Sequence, residues 1–421
     1  MIHILANSVP PQGLIMSHDD FACVLACALP GQPVDLGGRI AAIESALRVS
    51  MPVVVCNGIL IGRAQAKIHV TCGAVLQLRD VYARGVSVAV EDGEAVLTDA
   101  YFADPSSGLH ATGPKSQLRL QRGMVQGAGA SAVVCRQGAA VLVAESVVCA
   151  AGRCGVAAVG WGSRARVCES RLAGAAGAGV VALNGGWVEA LGVEVMRTGQ
   201  SCVLSEGPKS IVEARDCVIR AGLHGASCQR GGAVDLHGCR ISAVTGVGVM
   251  AIDRGSRAAM VSTTMSDTGL EGMLAWAHGS VGARDSSVLQ AQRSGVRVGG
   301  RGSMAALNNV TILQSATDGI EVCAGGWCHC EGAVVTGARR AAVRASGKGA
   351  AVKLVRGELS SAPHGVSCAD GGRADLRGTR VMRCAVGLSG DQKQRDFFGR
   401  PRVTYKEILV GPDVLVRTLG C

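Results

Sequence analysis

Three cysteines and a histidine stand within eight residues of one another in the stretch CAGGWCHCEG, residues 323–332. Thiolate and imidazole at that density are the donors a tetrahedral zinc centre uses. Two glutamates, Glu145 and Glu169, sit in matching contexts, each followed by a serine. Brought together, two carboxylates share a proton or hold a cation, which is where acid–base chemistry starts. Asp318, in SATDGIEV, is a third acid of interest, and Trp161 and Trp187 adjoin glycines, with flat apolar faces that a sugar ring or a partner protein can cover. Whether any of these residues meet depends on the elements that carry them.

Those elements are constrained by composition. Of 421 residues, 48% are hydrophobic but only 3% aromatic, and 60 are glycine. A wide globular core draws much of its buried area from aromatic rings. This chain has to fill its interior with Val, Ala, Leu, Ile, Met and Cys, which suits a narrow interior tiled by many similar residues. No window of about 18 consecutive apolar residues exists, so no membrane-spanning helix is expected. The first residues lack the charged start and long apolar run of a signal peptide. The 18 cysteines therefore read as reduced thiols acting as small hydrophobes, in an intracellular reducing compartment or an assembled virus particle. The net charge of +10 comes from 42 basic and 32 acidic residues that are scattered, without the Lys/Arg run of a nucleic-acid tail.

Internal repetition settles the fold class. VVCRQGAAVLVAESVVCAAGRCG ends at Gly155, VAAVGWGSRARVCESRLAGAAGAG at Gly179 and MLAWAHGSVGARDSSVLQAQRSG at Gly295. Boundaries recur every 22 to 24 residues from Gly85 to Gly387, through Ala132, Cys202 and Ala341, and delimit thirteen units. Each unit holds a short apolar strand, a Gly-containing turn, a strand alternating with period two, a polar corner and a third short strand. No unit sustains a helical period. Three short strands per turn of about 23 residues describe an all-β solenoid, a right-handed parallel β-helix. Over residues 67–388 the sequence resembles the parallel β-helix repeat family, shared by pectin-degrading enzymes, phage and viral spikes and some F-box proteins.

Residues 1–66 are expected to form an N-terminal segment and cap, with GRIAAIESALRVS (38–50) as a capping helix. Residues 389–421, which contain Phe397, Phe398 and Tyr405, are expected to close the other end as a capping tail. Stacking of turns makes columns. Ser146, Ser170, Cys217, Cys239, Thr264, Ser286, Asn309 and Thr379 form one, expected to face inward and satisfy backbone groups. One residue earlier come Asp99, Glu145, Glu169, Asp216, Asp285, Asn308 and Glu331, expected to face outward and to be interleaved with Arg171 and Arg215.

Resemblance to the pectin-hydrolysing branch implies an Asn-Thr-Asp motif, a paired Asp-Asp, a His-Gly and an Arg-x-Lys. In SATDGIEV, Ala316 stands where that Asn belongs, and neither the Asp-Asp nor the Arg-x-Lys follows. His224-Gly225 and His364-Gly365 occur, as Asp318 does, just before a unit-ending Gly. The lyase branch implies a dense cluster of calcium-binding Asp, which is lacking. The favoured reading is thus a non-catalytic scaffold presenting Trp161, Trp187, Glu145, Glu169 and Asp216 to a protein or glycan. The alternative is a carbohydrate-active enzyme, a polysaccharide lyase or glycoside hydrolase, with Glu145, Glu169 and Asp318 as its catalytic candidates. No cofactor is called for. Nor is a metal: strand alternation puts Cys328 and Cys330 on one face and His329 on the other, so one zinc cannot gather them.

Overall fold

A computed structural model describes residues 15–63, 65–390, 403–406 and 409–410. The described chain is a right-handed parallel β-solenoid, and the sixteen first strands, from Ala46–Val49 to Val386–Gly390, mark its turns. The three turns beyond the expected thirteen lie at the ends. Two precede Gly85, where Val53–Gly62 and Val75–Arg84 each run as one ten-residue strand bent at a left-handed residue, Asn57 or Asp80. Those turns lack the punctuation that delimits the later ones.

Residues 38–50 are not a capping helix. Ile40–Ile43 and Ala46–Val49 are strands, the second with strictly alternating burial. The apolar spacing there is helical apart from the short pair Leu47 and Val49, and pairing with neighbouring turns overrides it. The helix is His18–Cys27, capped by Ser17, whose hydroxyl accepts the Asp20 N–H, and seated by buried Phe21 and Leu25. Of the proposed tail, Val403–Lys406 and Leu409–Val410 are strands paired in parallel with Arg373–Arg377 and Arg380–Met382. Phe397 and Phe398 lie outside the described residues.

Two compact units divide the chain, residues 1–177 with 186–188 and residues 178–185 with 189–421. Both follow the same local rules. Inward positions are aliphatic or thiol, and among the described residues Phe21 and Phe102 are the only aromatic rings among the largest fully buried side chains. Burial pushes the Cys135 and Cys228 thiols up to about 12, so they pack as neutral hydrophobes. Close stacking explains the unit-ending glycines: a Cβ on Gly319 would lie 2.2 Å from Val335 Cγ1 and 2.6 Å from the Ala342 carbonyl oxygen.

Unit length varies in part at the first corner. Three-residue turns (230–232, 277–279, 324–326, 370–372) alternate with four-residue turns (207–210, 253–256, 300–303, 347–350) in the second unit. In three of the four longer turns the last residue is a serine that closes two turns at once. Ser210, Ser256 and Ser303 accept the N–H of Gly185, Gly231 and His278, one turn earlier, at 3.0 Å each.

Candidate functional site

The inward column at the second corner does what its residue types suggest. Ser146 Oγ accepts the Gly123 N–H at 3.0 Å, Ser170 Oγ the Ser146 N–H at 3.1 Å and Ser286 Oγ the Thr263 N–H at 3.1 Å. The threonine in this column is Thr263, not Thr264, and Asn309 belongs one column earlier, because register rather than local sequence sets the alignment.

That earlier column holds Asp99, Glu145, Glu169, Asp216, Asp285 and Asn309, every one with φ between 45° and 53°. Asn308 and Glu331, the final residues of their second strands, are not part of it. A left-handed residue is required at this bend, and Asp, Asn and Gly tolerate that conformation best. Much of the acid content of the corner therefore follows from backbone geometry. Arg122 joins the column between Asp99 and Glu145, gripping Asp99 with Nε–Oδ1 at 2.9 Å and Nη2–Oδ2 at 2.8 Å and holding that carboxyl below the usual range. Glu145, Glu169 and Asp216 are exposed.

The tryptophans cluster less than their spacing suggests. Trp161 is 70% exposed at a first-corner turn, while Trp187 begins a second strand under the Arg164 guanidinium, 5.9 Å from its ring. Between the two corners of the first unit lies a shallow depression floored by Ala140, Leu142 and Ala144 and flanked by Arg119 and Arg166. No acid lines it. In CAGGWCHCEG, Cys328 and Cys330 are buried with Sγ atoms 3.4 Å apart, and His329 stacks outside on Trp327.

The chemically unusual centre is at the third corner of the second unit, around Asp318. Register places Val181, Leu204, Ser227, Met250 and Leu274 in one column of first strands, which then continues as Arg297, Glu321 and Arg344. Three consecutive charged rungs follow five uncharged ones. Loops of the third corner close on this column. Ser294 Oγ donates to Glu321 Oε2 at 2.8 Å and lies 3.0 Å from Thr317 Oγ1. Glu271, with a side chain only 4% exposed, meets Arg297 at 3.2 Å and Arg293 at 3.7 Å, and Arg297 Nε meets Glu321 at 3.6 Å. Trp276 lies 5.4 Å from the Arg297 guanidinium.

Asp318 is fully buried at the centre. Its Oδ1 accepts the Ala341 N–H at 3.1 Å, while Oδ2 has no hydrogen bond and faces Arg340 at 3.8 Å. Burial raises its pKa to about 6, against the opposing pull of Arg340, with Glu321 pushing the same way as burial. Buried polar atoms are almost always satisfied. Of eight that lack a hydrogen bond among the described residues, five belong to Arg297, Ser315, Asp318, Arg344 and His364. That concentration sets this corner apart from the rest of the coil.

Sequence reading singled out Asp318 but not Glu321, three residues later in the same stretch, nor Glu271, Arg297 and Arg340, which lie outside it. The available signal was the run Arg297, Glu321 and Arg344, one per unit at the same strand position.

No family model matches the chain, and no curated protein matches it. Solved structures do. The mannuronan C-5 epimerase A-module of Azotobacter vinelandii is 14% identical, with 89% of this chain and 91% of that one covered and a TM-score of 0.30. The catalytic unit of a GH87 α-1,3-glucanase from Streptomyces thermodiastaticus is 12% identical, over 96% and 70%, with a TM-score of 0.28. The receptor-binding domain of the siphovirus 9NA tailspike is 10% identical, over 96% and 78%, with a TM-score of 0.30. These are parallel β-helix proteins. Most of these matches are carbohydrate-active enzymes by name, which stands against the expectation of a non-catalytic scaffold and on the side of its alternative. At such identities the likeness itself concerns the fold and transfers no substrate.

Proposed function

We propose that this protein is a carbohydrate-active enzyme, a polysaccharide lyase or glycoside hydrolase, with Asp318 as its proton-transfer group. The observation that carries the reading is the buried Asp318 carboxyl, with one oxygen unbonded, set among Glu271, Glu321 and three arginines, Arg293, Arg297 and Arg340. A carboxyl titrating near neutrality both donates and accepts protons under ordinary conditions, as a general acid or base must. Arg297 and Glu321 beside it supply a charged, partly buried lining, and guanidinium groups bind hydroxyl and carboxylate oxygens with a fixed fork geometry.

Access to Asp318 is controlled by Arg340, whose side chain is 51% exposed and lies over Oδ2. A sugar oxygen that takes the guanidinium away uncovers the carboxyl and joins it to the reacting group. The test is a polysaccharide panel, with and without calcium, read by new reducing ends and by unsaturated products. Turnover by the native protein that falls at least about a hundredfold in Asp318→Asn, a substitution that keeps shape and removes the proton, supports the reading. Turnover left intact in that variant, or absent across the panel, overturns it.

A further inference from the structure

The longer first-corner turns of the second unit carry a cation at the tip. One of the two middle residues is Lys209 in GPKS, Arg254 in DRGS, Arg301 in GRGS and Lys348 in GKGA, and all four are exposed. The chain has only seven lysines, so finding two of them in these four turns is a selective placement; the same tetrapeptide GPKS also puts Lys115 at the corresponding turn of the first unit. Arg254, Arg301 and Lys348 form no ion pair among the described residues. Some other arginines of this unit are neutralised, Arg220 by Glu194, Arg230 by Glu206, Arg356 by Glu331 and Arg377 by Asp375.

The tips share one backbone geometry. Each turn holds two left-handed residues: Gly207 and Lys209, Asp253 and Gly255, Gly300 and Gly302, Gly347 and Gly349. The serine that ends three of them is bonded to the preceding turn, as described above. Three-residue turns intervene, so the cations recur every second rung. With rungs about 4.8 Å apart, the charges are about 10 Å apart and the row of four is about 29 Å long. Asp253, beside Arg254, is the one acid inside these turns.

We propose that this row binds a linear polysaccharide carrying one acid group per disaccharide, laid along the corner with its acid groups opposite successive tips. A period of two rungs is close to the length of a disaccharide in an extended chain, so each tip meets one anion without the polymer bending. Nucleic acid fits less well. Its phosphates follow one another at about 3.4 Å of rise per strand, and single strands are held by aromatic stacking, which none of these four turns offers. The row is a binding surface in its own right and does not rest on catalysis at Asp318.

The test is equilibrium binding of the full chain to hyaluronan oligosaccharides, which carry one carboxylate per disaccharide, beside neutral dextran and single-stranded DNA. Binding of hyaluronan that exceeds both, weakens with salt and falls at least about tenfold in Arg254→Ala/Arg301→Ala is expected. Asp318→Asn should leave that binding unchanged, which separates failure here from failure of the enzymatic reading. Equal binding of dextran, tighter binding of DNA, no binding of hyaluronan, or an unaffected double variant would each overturn the proposal. Both arginines are solvent-exposed in turns whose glycines and serines stay in place, and a native melting profile of the variant confirms that the fold is retained.

Discussion

Glu145 and Asp318 are both acids at a corner of a β-coil, one turn residue each, and their surroundings make them different chemical objects. Glu145 occupies a left-handed bend, stands in water and shares its column with Arg122. Asp318 is enclosed, has one oxygen unbonded and titrates near 6. In a stacked fold an acid column arises wherever the backbone wants Asp, Asn or Gly. Chemistry needs the further step of taking the carboxyl out of water without fully pairing it.

The largest expected contrast is in activity. Asp318→Asn should lower turnover at least about a hundredfold, while Glu145→Gln and Glu169→Gln should change it less than about twofold, measured as kcat/KM on whichever polysaccharide the panel identifies. The reverse order would move the active centre to the second corner of the first unit.

The second contrast is in pH dependence. A carboxyl whose folded value is raised, here from 3.8 to about 6, binds its proton more tightly in the folded than in the unfolded state. Its contribution to stability is therefore most favourable below about pH 4 and is lost as pH rises through 6, by about 3 kcal/mol. Denaturant unfolding of native protein and Asp318→Asn at pH 4 and pH 7 should show the native protein losing about that much relative to the variant. The acidic limb of any kcat/KM profile near pH 6 should vanish with it. A difference between the two proteins that does not vary with pH would show that folding leaves the titration of Asp318 unchanged.

How much of this was legible beforehand follows from periodicity. Glycines such as Gly295 and Gly319 recur because a Cβ would strike the next turn, so their spacing exposes the coil directly. The run 38–50 misled because Ile40, Ile43 and Leu47 fall at helical spacing, while the period-two signal is only the short pair Leu47 and Val49. Columns could be read to within one residue, which is enough for fold but not for chemistry. Thr263 is buried while Thr264 is exposed, one residue apart. The Asp318 centre was the least legible part. Its members come from several turns, and burial of a carboxyl by loops has no local sequence signature.

A third contrast sets the buried hydrogen bonds of the corners against their exposed ion pairs. Ser256→Ala leaves the Gly231 N–H without its acceptor, and thermal or denaturant unfolding should register a loss of about 1–2 kcal/mol.

Arg122→Ala should do less, although its two hydrogen bonds to Asp99 are shorter than the one Ser256 accepts. Both members of the pair stand largely in water, their side chains 47% and 41% exposed. Water replaces what the guanidinium gives, so the expected change is well below that of Ser256→Ala and shrinks further in salt. Asp99 keeps its left-handed bend in the variant, because that conformation is demanded by the turn and not by the arginine. A loss as large as that of Ser256→Ala would mean that the alternating charges of the second-corner column hold the turns together. The acids there would then be structural in their own right, and not merely residues that tolerate the bend.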